Sequence, residues 1–179
     1  MKKKVLFVSR DNTLLKVQKG NHRADSLDRL ELMPKVITSL LKIKETLDYE
    51  LVMVTNQEGL GTAIYPENIF WRIQNKLLQL LENEGVIFDA IFIDRSFETE
   101  NLPTRKPNVG MLFGYTKELY DFQKSYLVGE SMEDMQLAKN LGIQAICFGR
   151  EGNQGCNRNA ASWLEVTDLL SVTENKNYY

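Results

Sequence analysis

Polar residues that could do chemistry stand at four places in this sequence, and three of these places follow a short apolar run. They are Ser9 with Asp11, Thr55 with Asn56, the loop carrying Lys106, and Glu130 with Asp134 a little further on. Hydroxyl, amide and ammonium groups can bind an anion, and carboxylates can ligate a cation or carry a proton. In open α/β sheets ligands bind outside the carboxyl ends of the strands, so residues that close apolar runs are the expected site residues.

The rest of the sequence predicts the elements that would bring these places together. Short apolar runs alternate with longer amphipathic segments, which is typical of βα units. The predicted strands are residues 4–9, 50–55, 90–93, 125–128 and 144–148, and the predicted helices are residues 34–47, 66–84, 109–120, 132–141 and 160–170. The expected fold class is therefore α/β: a doubly wound, mostly parallel sheet with helices on both faces and no large cap domain.

Length and composition favour one folded domain. A chain of 179 residues falls within the range that a single hydrophobic core commonly serves. Hydrophobic residues make up 43% and charged residues 26%, close to the usage of ordinary globular proteins. We expect residues 1–170 to form one domain and residues 171–179 to be a frayed tail.

Charge and cysteine content narrow the expected partners and compartment. A net charge of −2 gives no general attraction for nucleic acid or an anionic membrane, and no apolar run is long enough to cross a bilayer. The two cysteines, Cys147 and Cys156, predict neither a disulfide framework nor a cysteine-based zinc site. Arg10 and Asp11 end the apolar run at the start of the sequence after four residues, too soon for a signal peptide, so we expect the reducing cytoplasm. The pattern specifies no oligomeric state.

Taken in order, these motifs resemble those of the haloacid dehalogenase superfamily, and in particular its histidinol-phosphate phosphatase branch (subfamily IIIA). Residues 55–62, Thr-Asn-Gln-Glu-Gly-Leu-Gly-Thr, are similar to the TNQ-x-GLGT loop of that branch, and residues 105–107 match its Arg-Lys-Pro. Gln-Leu-Ala at residues 136–138 lies where a similar helix follows the last acidic motif. The resemblance covers roughly residues 3–148. It implies a HAD-like Rossmannoid fold and a magnesium-dependent phosphomonoester hydrolase acting on small phosphorylated metabolites.

The first motif departs from the family pattern at the residue that would attack phosphorus. The resemblance implies Asp-x-Asp-Gly-Thr, whose first aspartate is the nucleophile and whose second acts as acid and base. Ser9 and Asp11 stand at these two positions, and Asn12 stands at the glycine. A serine hydroxyl is a weak nucleophile unless a base removes its proton, and it brings no charge to a magnesium site. Asn12 can adopt the left-handed backbone that the turn requires.

Two other features bear on the same site, namely the sole histidine and the last acidic motif. His22 is in the polar loop after the first strand and would reach Ser9 only if that loop folded back, so we expect a surface residue. Glu130 replaces the metal-binding aspartate that the family pattern carries, which adds one methylene. The expected metal ligands are Asp11, Glu130 and Asp134, with magnesium binding weakened or lost.

The phosphate-binding residues that the resemblance implies are retained. Thr55 and Asn56 are expected to hydrogen-bond the phosphate, and Lys106 to neutralise its charge. The family branch often carries a zinc site of the form Cys-x-His and Cys-x-Cys in the preceding loop. Residues 94, 96, 102 and 104 occupy those positions here as Asp, Ser, Leu and Thr. Structural zinc is therefore not predicted.

Three functions remain open at this stage. The chain could be a magnesium-dependent phosphatase of low activity, with histidinol phosphate as the substrate that the resemblance implies. It could instead be a non-catalytic relative that binds a phosphorylated metabolite through Thr55, Asn56 and Lys106. The third hypothesis is an interaction or regulatory protein in which the site is vestigial.

Overall fold

A parallel sheet of six strands forms the centre of the computed structural model, which describes residues 2–18, 23–24, 26–149, 156 and 158–175. The strands are β1 (Lys4–Ser9), β2 (Tyr49–Asn56), β3 (Ala90–Asp94), β4 (Tyr126–Gly129), β5 (Gln144–Phe148) and β6 (Arg158–Ala160). The helices are α1 (Val36–Leu47), α2 (Glu67–Glu82), α3 (Met132–Leu141) and α4 (Trp163–Asn175). The doubly wound α/β fold is confirmed, and the described residues include no large cap.

The order of the strands explains where a site can form. The sheet runs β3-β2-β1-β4-β5-β6, so the chain winds outward from β1 in one direction and then in the other. Crevices in such sheets form where the winding direction reverses. The carboxyl ends of β1, β2 and β4 meet at this point, and all three strands end in residues that the sequence singled out.

Alternate residues of the central strand β1 are buried in two separate hydrophobic cores. Leu6 and Val8 are fully buried in the core that includes α1, α2 and α4. Val5 and Phe7 are fully buried in the core that includes α3 and the segment after residue 109. The near-continuous apolar sequence of β1 follows from this arrangement, because a strand buried on both faces needs apolar residues at every position.

The helix predicted over residues 109–120 is wrong, since only a short 3-10 turn forms there, at Gly110–Leu112. Gly114 interrupts the helical pattern, and glycine in a helix interior costs about 1 kcal/mol relative to alanine. Tertiary contacts also hold the segment in a series of turns. The backbone N–H of Lys3 donates to Leu119, and that of Asp121 donates to Lys3.

Two further differences concern the carboxyl-terminal part of the chain. The short strand β6 was not predicted, because its polar sequence Arg-Asn-Ala has no apolar alternation, yet it pairs in parallel with β5. Helix α4 continues to Asn175, five residues into the segment expected to be frayed. Residues 176–179 lie outside the described part of the chain.

Two tyrosines clamp a carboxylate at the amino ends of the strands. The hydroxyls of Tyr115 and Tyr120 donate to Glu50 over 3.2 Å and 3.0 Å. Burial and the neighbouring Glu50 raise the pKa of Tyr115 well above its ordinary value, and the same causes raise the pKa of Tyr120 to about 12. The clamp joins β2 to the irregular segment that replaces the predicted helix.

Cys147, in β5, and Cys156 are paired, with their Cα atoms 6.1 Å apart. The sequence predicted no disulfide framework, and this single pair was not foreseen. Separately, none of the described helices is long and apolar enough to cross a membrane.

Candidate active site

Ser9 and Lys106 meet at the carboxyl end of β1. Both side chains are buried, and Lys106 Nζ donates to Ser9 Oγ over 3.3 Å. The same ammonium donates to Asp134 Oδ1 over 2.6 Å and to the carbonyl of Val54 over 3.4 Å. Three of the predicted site residues, from three separate motifs, therefore share one network.

Asp134 reaches this network because Gly129 has no side chain. A Cβ built on Gly129 would lie 2.4 Å from Asp134 Oδ2, far too close for any other residue type. The Oδ2 atom also accepts from the backbone N–H of Ser131 over 3.2 Å and from its hydroxyl over 2.8 Å, which caps α3. Each carboxylate oxygen of Asp134 is thus already hydrogen-bonded within the protein.

Asp11 lies close to Ser9 in sequence, but its carboxylate is held by other residues. Arg10 Nη1 donates to Asp11 Oδ1 over 2.6 Å, and Gln57 Nε2 donates to Oδ2 over 2.7 Å. Arg10 is fully buried, donates from Nε to Gln74 over 2.9 Å and stacks over the ring of Phe70. The buried guanidinium and the Gln57 amide are two donors that orient the side chain of Asp11.

Sequence reasoning missed Arg10, Gln57 and Gln74 as parts of this site. A charged residue directly after a strand that is buried on both faces was the available signal for Arg10, because a buried charge requires a partner. The sequence identified Gln57 only as a member of the loop motif at residues 55–62. It showed Gln74 only as a polar residue on the buried side of α2. Nothing in their spacing along the chain places them around Asp11.

Thr55 and Asn56 end β2 and have different roles from each other. Thr55 Oγ1 is buried and accepts from Gln57 Nε2 over 2.8 Å. The Asn56 amide accepts from the backbone N–H of Lys106 and donates to its carbonyl, both over 3.1 Å. Its Nδ2 also donates to Glu133 over 3.2 Å. Asn56 therefore holds the backbone that carries Lys106.

Asn12 adopts the left-handed backbone expected at the glycine position, with φ of +54°. Its side chain makes two contacts that glycine could not make. Asn12 Oδ1 accepts from the backbone N–H of Val17 over 2.9 Å, and Nδ2 donates to Glu130 Oε2 over 3.3 Å. The two departures at positions 12 and 130 are thus directly coupled. His22 lies outside the described residues.

Three of the four residues that stand at the family's zinc positions form a hydrogen-bonded cluster. Asp94 accepts from the backbone N–H of Ser96 over 2.9 Å, from the Ser96 hydroxyl, and from Thr104 Oγ1 over 2.6 Å. The fourth, Leu102, is exposed at the surface. Arg105 Nη1 donates to the carbonyl of Ser96 over 2.6 Å and closes the loop over the cluster.

A cavity of about 570 Å³ opens beside these residues. Its lining combines two arginines, two carboxylates and two apolar side chains with the ends of Asn56 and Gln57. The lining residues are Arg23, Glu58, Ile64, Phe97, Arg105 and Glu133. Arg105 Nη2 pairs with Glu58 over 2.7 Å, so part of this charge is already balanced within the protein.

Asp11 and Asp134, two of the carboxylates expected to ligate magnesium, are hydrogen-bonded within the protein. Mg²⁺ needs near-octahedral oxygen ligation, of which carboxylates usually supply one or two. The oxygens of Asp11 are held by Arg10 and Gln57, and those of Asp134 by Lys106 and Ser131. Within the described ranges, no group of three or more His, Cys, Asp or Glu side chains could hold a metal ion.

The chain belongs to the polynucleotide kinase 3 phosphatase family, whose model matches residues 4–145. Its relatives include the histidine biosynthesis bifunctional protein HisB of Bacteroides fragilis, 48% identical over 147 residues, which cover 82% of this chain and 39% of the relative. HisB of Campylobacter jejuni subsp. doylei is 38% identical over 180 residues, covering 99% of this chain and 48% of the relative. The chain thus spans less than half the length of these relatives.

Solved structures place the fold among haloacid dehalogenase superfamily phosphatases. D,D-heptose 1,7-bisphosphate phosphatase from B. bronchiseptica, complexed with magnesium and phosphate, superposes with a TM-score of 0.80 at 22% identity, covering 95% of this chain and 99% of that one. A HAD-like phosphatase from Mesorhizobium loti gives a TM-score of 0.79 at 27% identity, covering 97% and 87%. The family resemblance found in the sequence is confirmed.

Proposed function

We propose that this chain binds a small phosphate ester at the carboxyl edge of its sheet and hydrolyses it slowly or not at all. The observation that carries the proposal is the contact between Ser9 and Lys106. A hydroxyl occupies the position of the attacking carboxylate, while the cation that would neutralise phosphate is retained beside it. The chain thus keeps the cation that would bind phosphate but lacks the carboxylate that would attack phosphorus.

No base contacts Ser9 among the residues that the structure describes. Among the described residues its side chain has one hydrogen-bond partner, the ammonium of Lys106, which donates to it. An ammonium paired with Asp134 cannot also take up the serine proton. Each 1.36 kcal/mol of lost transition-state stabilisation lowers a rate about tenfold, so losing an ionised nucleophile removes several powers of ten.

Magnesium is expected to bind weakly or not at all in this proposal. The structural neighbour from B. bronchiseptica is complexed with magnesium, whereas here Asp11 and Asp134 are hydrogen-bonded to Arg10, Gln57 and Lys106. Removing the carboxylate from position 9 also removes negative charge that would attract the cation. No step of the proposed function therefore depends on a metal.

The ligand is proposed to be a small phosphorylated metabolite rather than a nucleic acid. The cavity lined by Asn56 and Arg105 can hold the organic part of such an ester against Phe97 and Ile64. The two carboxylates in the lining of this cavity balance its two arginines, so it offers no net positive charge for the further phosphates of a polynucleotide. Histidinol phosphate is the first ester to test, because the relatives are named for histidine biosynthesis.

Reversion of the divergent residues tests this proposal. The chain and a Ser9→Asp, Asn12→Gly, Glu130→Asp variant are assayed against histidinol phosphate and a panel of phosphomonoesters, with and without magnesium. We expect the unchanged chain to bind the ester with little turnover, and the triple variant to gain magnesium-dependent turnover. Ser9→Asn is the matched control, because it approximates the size of aspartate without its charge.

Two outcomes would contradict the proposal. Rapid hydrolysis by the unchanged chain would show that Ser9, or water activated by Asp11, supports catalysis. Absence of both binding and turnover in every variant would favour a vestigial site and a role in protein interaction.

A further inference from the structure

The loop that carries Lys106 is tied together at its base by one buried carboxylate. We define the lysine loop as residues 95–107, which follow β3. Asp94, at the end of β3, is only 5% exposed, and its Oδ1 accepts from the Ser96 backbone over 2.9 Å while Oδ2 accepts from Thr104 Oγ1 over 2.6 Å. One side chain thus joins the first turn of the loop to a residue two positions before Lys106.

Other contacts hold the same loop at points on either side of Thr104. Arg105 Nη1 donates to the carbonyl of Ser96 over 2.6 Å, so the two ends are bridged a second time. The Asn56 amide binds both backbone polar groups of Lys106. Asn56 lies directly opposite Asp94 in the sheet register, so both anchors sit at one level of the sheet.

We propose that Asp94 is a positioning residue that holds Lys106 against Ser9 through its hydrogen bond to Thr104. The inference rests on the proposed function, in which Lys106 is the cation that binds phosphate. A lysine has four rotatable bonds, so its ammonium stays at a fixed point only if its backbone is fixed. Asp94 fixes this backbone through the hydrogen bonds that it accepts from the Thr104 hydroxyl and the Ser96 backbone N–H. The same hydrogen bonds satisfy the charge of Asp94.

Thr104→Val is the sharpest test because it removes the hydroxyl and keeps the shape of the side chain. The readout is the rate at which Lys106 reacts with acetic anhydride at mildly alkaline pH, followed by peptide mass spectrometry. Lys106 is 4% exposed in the intact protein, and we expect its acetylation to become about tenfold faster in Thr104→Val and in Asp94→Ala, the size expected when one hydrogen bond is lost. Thr104→Ser should restore the slow rate.

Two controls separate positioning from general loss of stability. Thr46→Val removes a similar hydroxyl, which donates over 2.7 Å to Lys42 on α1, far from the lysine loop. Ile73→Val weakens the core without touching the loop. Neither should change the reactivity of Lys106, although Ile73→Val lowers the urea midpoint. Exposed Lys76 serves as the internal reference in every sample.

The outcomes test the positioning role of Asp94 separately from the proposed function. Unchanged Lys106 reactivity in Thr104→Val and Asp94→Ala would overturn the positioning role, as would an equal increase in Ile73→Val. Inorganic phosphate binding is then measured by calorimetry, with about tenfold weaker affinity expected in Thr104→Val. Failure of the unchanged chain to bind phosphate would overturn the proposed function, while the acetylation rates would still decide the role of Asp94.

Discussion

At the scale of single residues, the site is organised around one buried ammonium. Lys106 contacts Ser9 and Asp134, and both it and Asp134 are almost completely shielded from solvent. A buried ion pair gains little over an apolar pair, but removing one partner leaves an uncompensated charge. The geometry around Lys106 should therefore be sensitive to small changes in its neighbours.

Replacing Asp134 with alanine should destabilise the protein by about 3–5 kcal/mol, because it leaves Lys106 buried without its counter-charge. Urea unfolding measures the change. The matched control is Glu31→Ala, which breaks the exposed pair with Lys16 and should cost less than about 1 kcal/mol. Adding Lys106→Met to Asp134→Ala should recover part of the loss. A fully additive double variant would show that the two charges are not coupled.

Replacing Gly129 with alanine should disturb the same pair without altering any charge. The added Cβ would lie 2.4 Å from Asp134 Oδ2, so the carboxylate must move away from Lys106. We expect a loss of about 1–3 kcal/mol in unfolding free energy, as for other overpacked positions, together with weaker phosphate binding. In Gly114→Ala the new Cβ meets nothing within 4 Å, and stability should be unchanged or slightly higher. Equal effects in the two variants would contradict this account.

At the scale of elements, the segment between β3 and β4 is held by side chains rather than by regular structure. Tyr115 and Tyr120 donate to Glu50 on β2, and the rings of the two tyrosines lie 4.9 Å apart. Because the hydroxyls serve as donors to a carboxylate, the folded protein keeps their protons more tightly than the unfolded chain does. This couples the attachment of the segment to pH.

Stability should fall at alkaline pH because of this clamp. The pKa of Tyr120 is raised to about 12 in the folded state from an ordinary value of 10.0. The contribution of the clamp is therefore complete below pH 10 and is lost as the pH rises from there towards 12. Urea midpoints measured between pH 8 and pH 11.5 should fall steeply in the unchanged chain and less steeply in Tyr120→Phe and Glu50→Gln. Parallel curves for all three would rule out this origin.

At the scale of the whole molecule, the carboxyl-terminal helix is connected to the turn that follows β1. Trp163 of α4 is fully buried, and its indole N–H donates to the carbonyl of Thr13 over 2.8 Å. The same helix packs in one core with α1. We propose on this basis that the described residues fold as one domain, in which α4 supports the turn of residues 9–13 although it lies outside the family match.

Trp163→Phe should lower the unfolding free energy by about 1–3 kcal/mol, because it removes a buried hydrogen bond and leaves space in the core. It should also weaken phosphate binding, since the turn from Ser9 to Thr13 loses a support. Trp71→Phe is the matched control: its indole donates to Glu67 on the surface of α2, and only a small change is expected. Measurement combines urea unfolding with calorimetry. Normal phosphate affinity in a folded Trp163→Phe protein would contradict the support role.

The sequence by itself determined the order of strands β1 to β5 and of the four helices along the chain, the family, and the chemical types of the site residues. The boundaries of β1, α3 and β5 agree with their predictions because each combines an apolar run with a clear capping or turn residue. Local patterns could not show that residues 109–120 leave the helical path, since contacts with Lys3 and Glu50 decide this. They could not reveal β6 either, because a polar edge strand has no apolar signature.

Only the tertiary structure decided how the site residues use their hydrogen bonds. The sequence showed which residue types stand at positions 9, 11 and 134. It did not show that the buried Arg10 pairs with Asp11 or that Lys106 contacts both Ser9 and Asp134. A carboxylate can act on a ligand only with the oxygen lone pairs that its neighbours leave unused. Those neighbours come from strands and loops up to 97 positions apart in the chain, and the sheet alone brings them together.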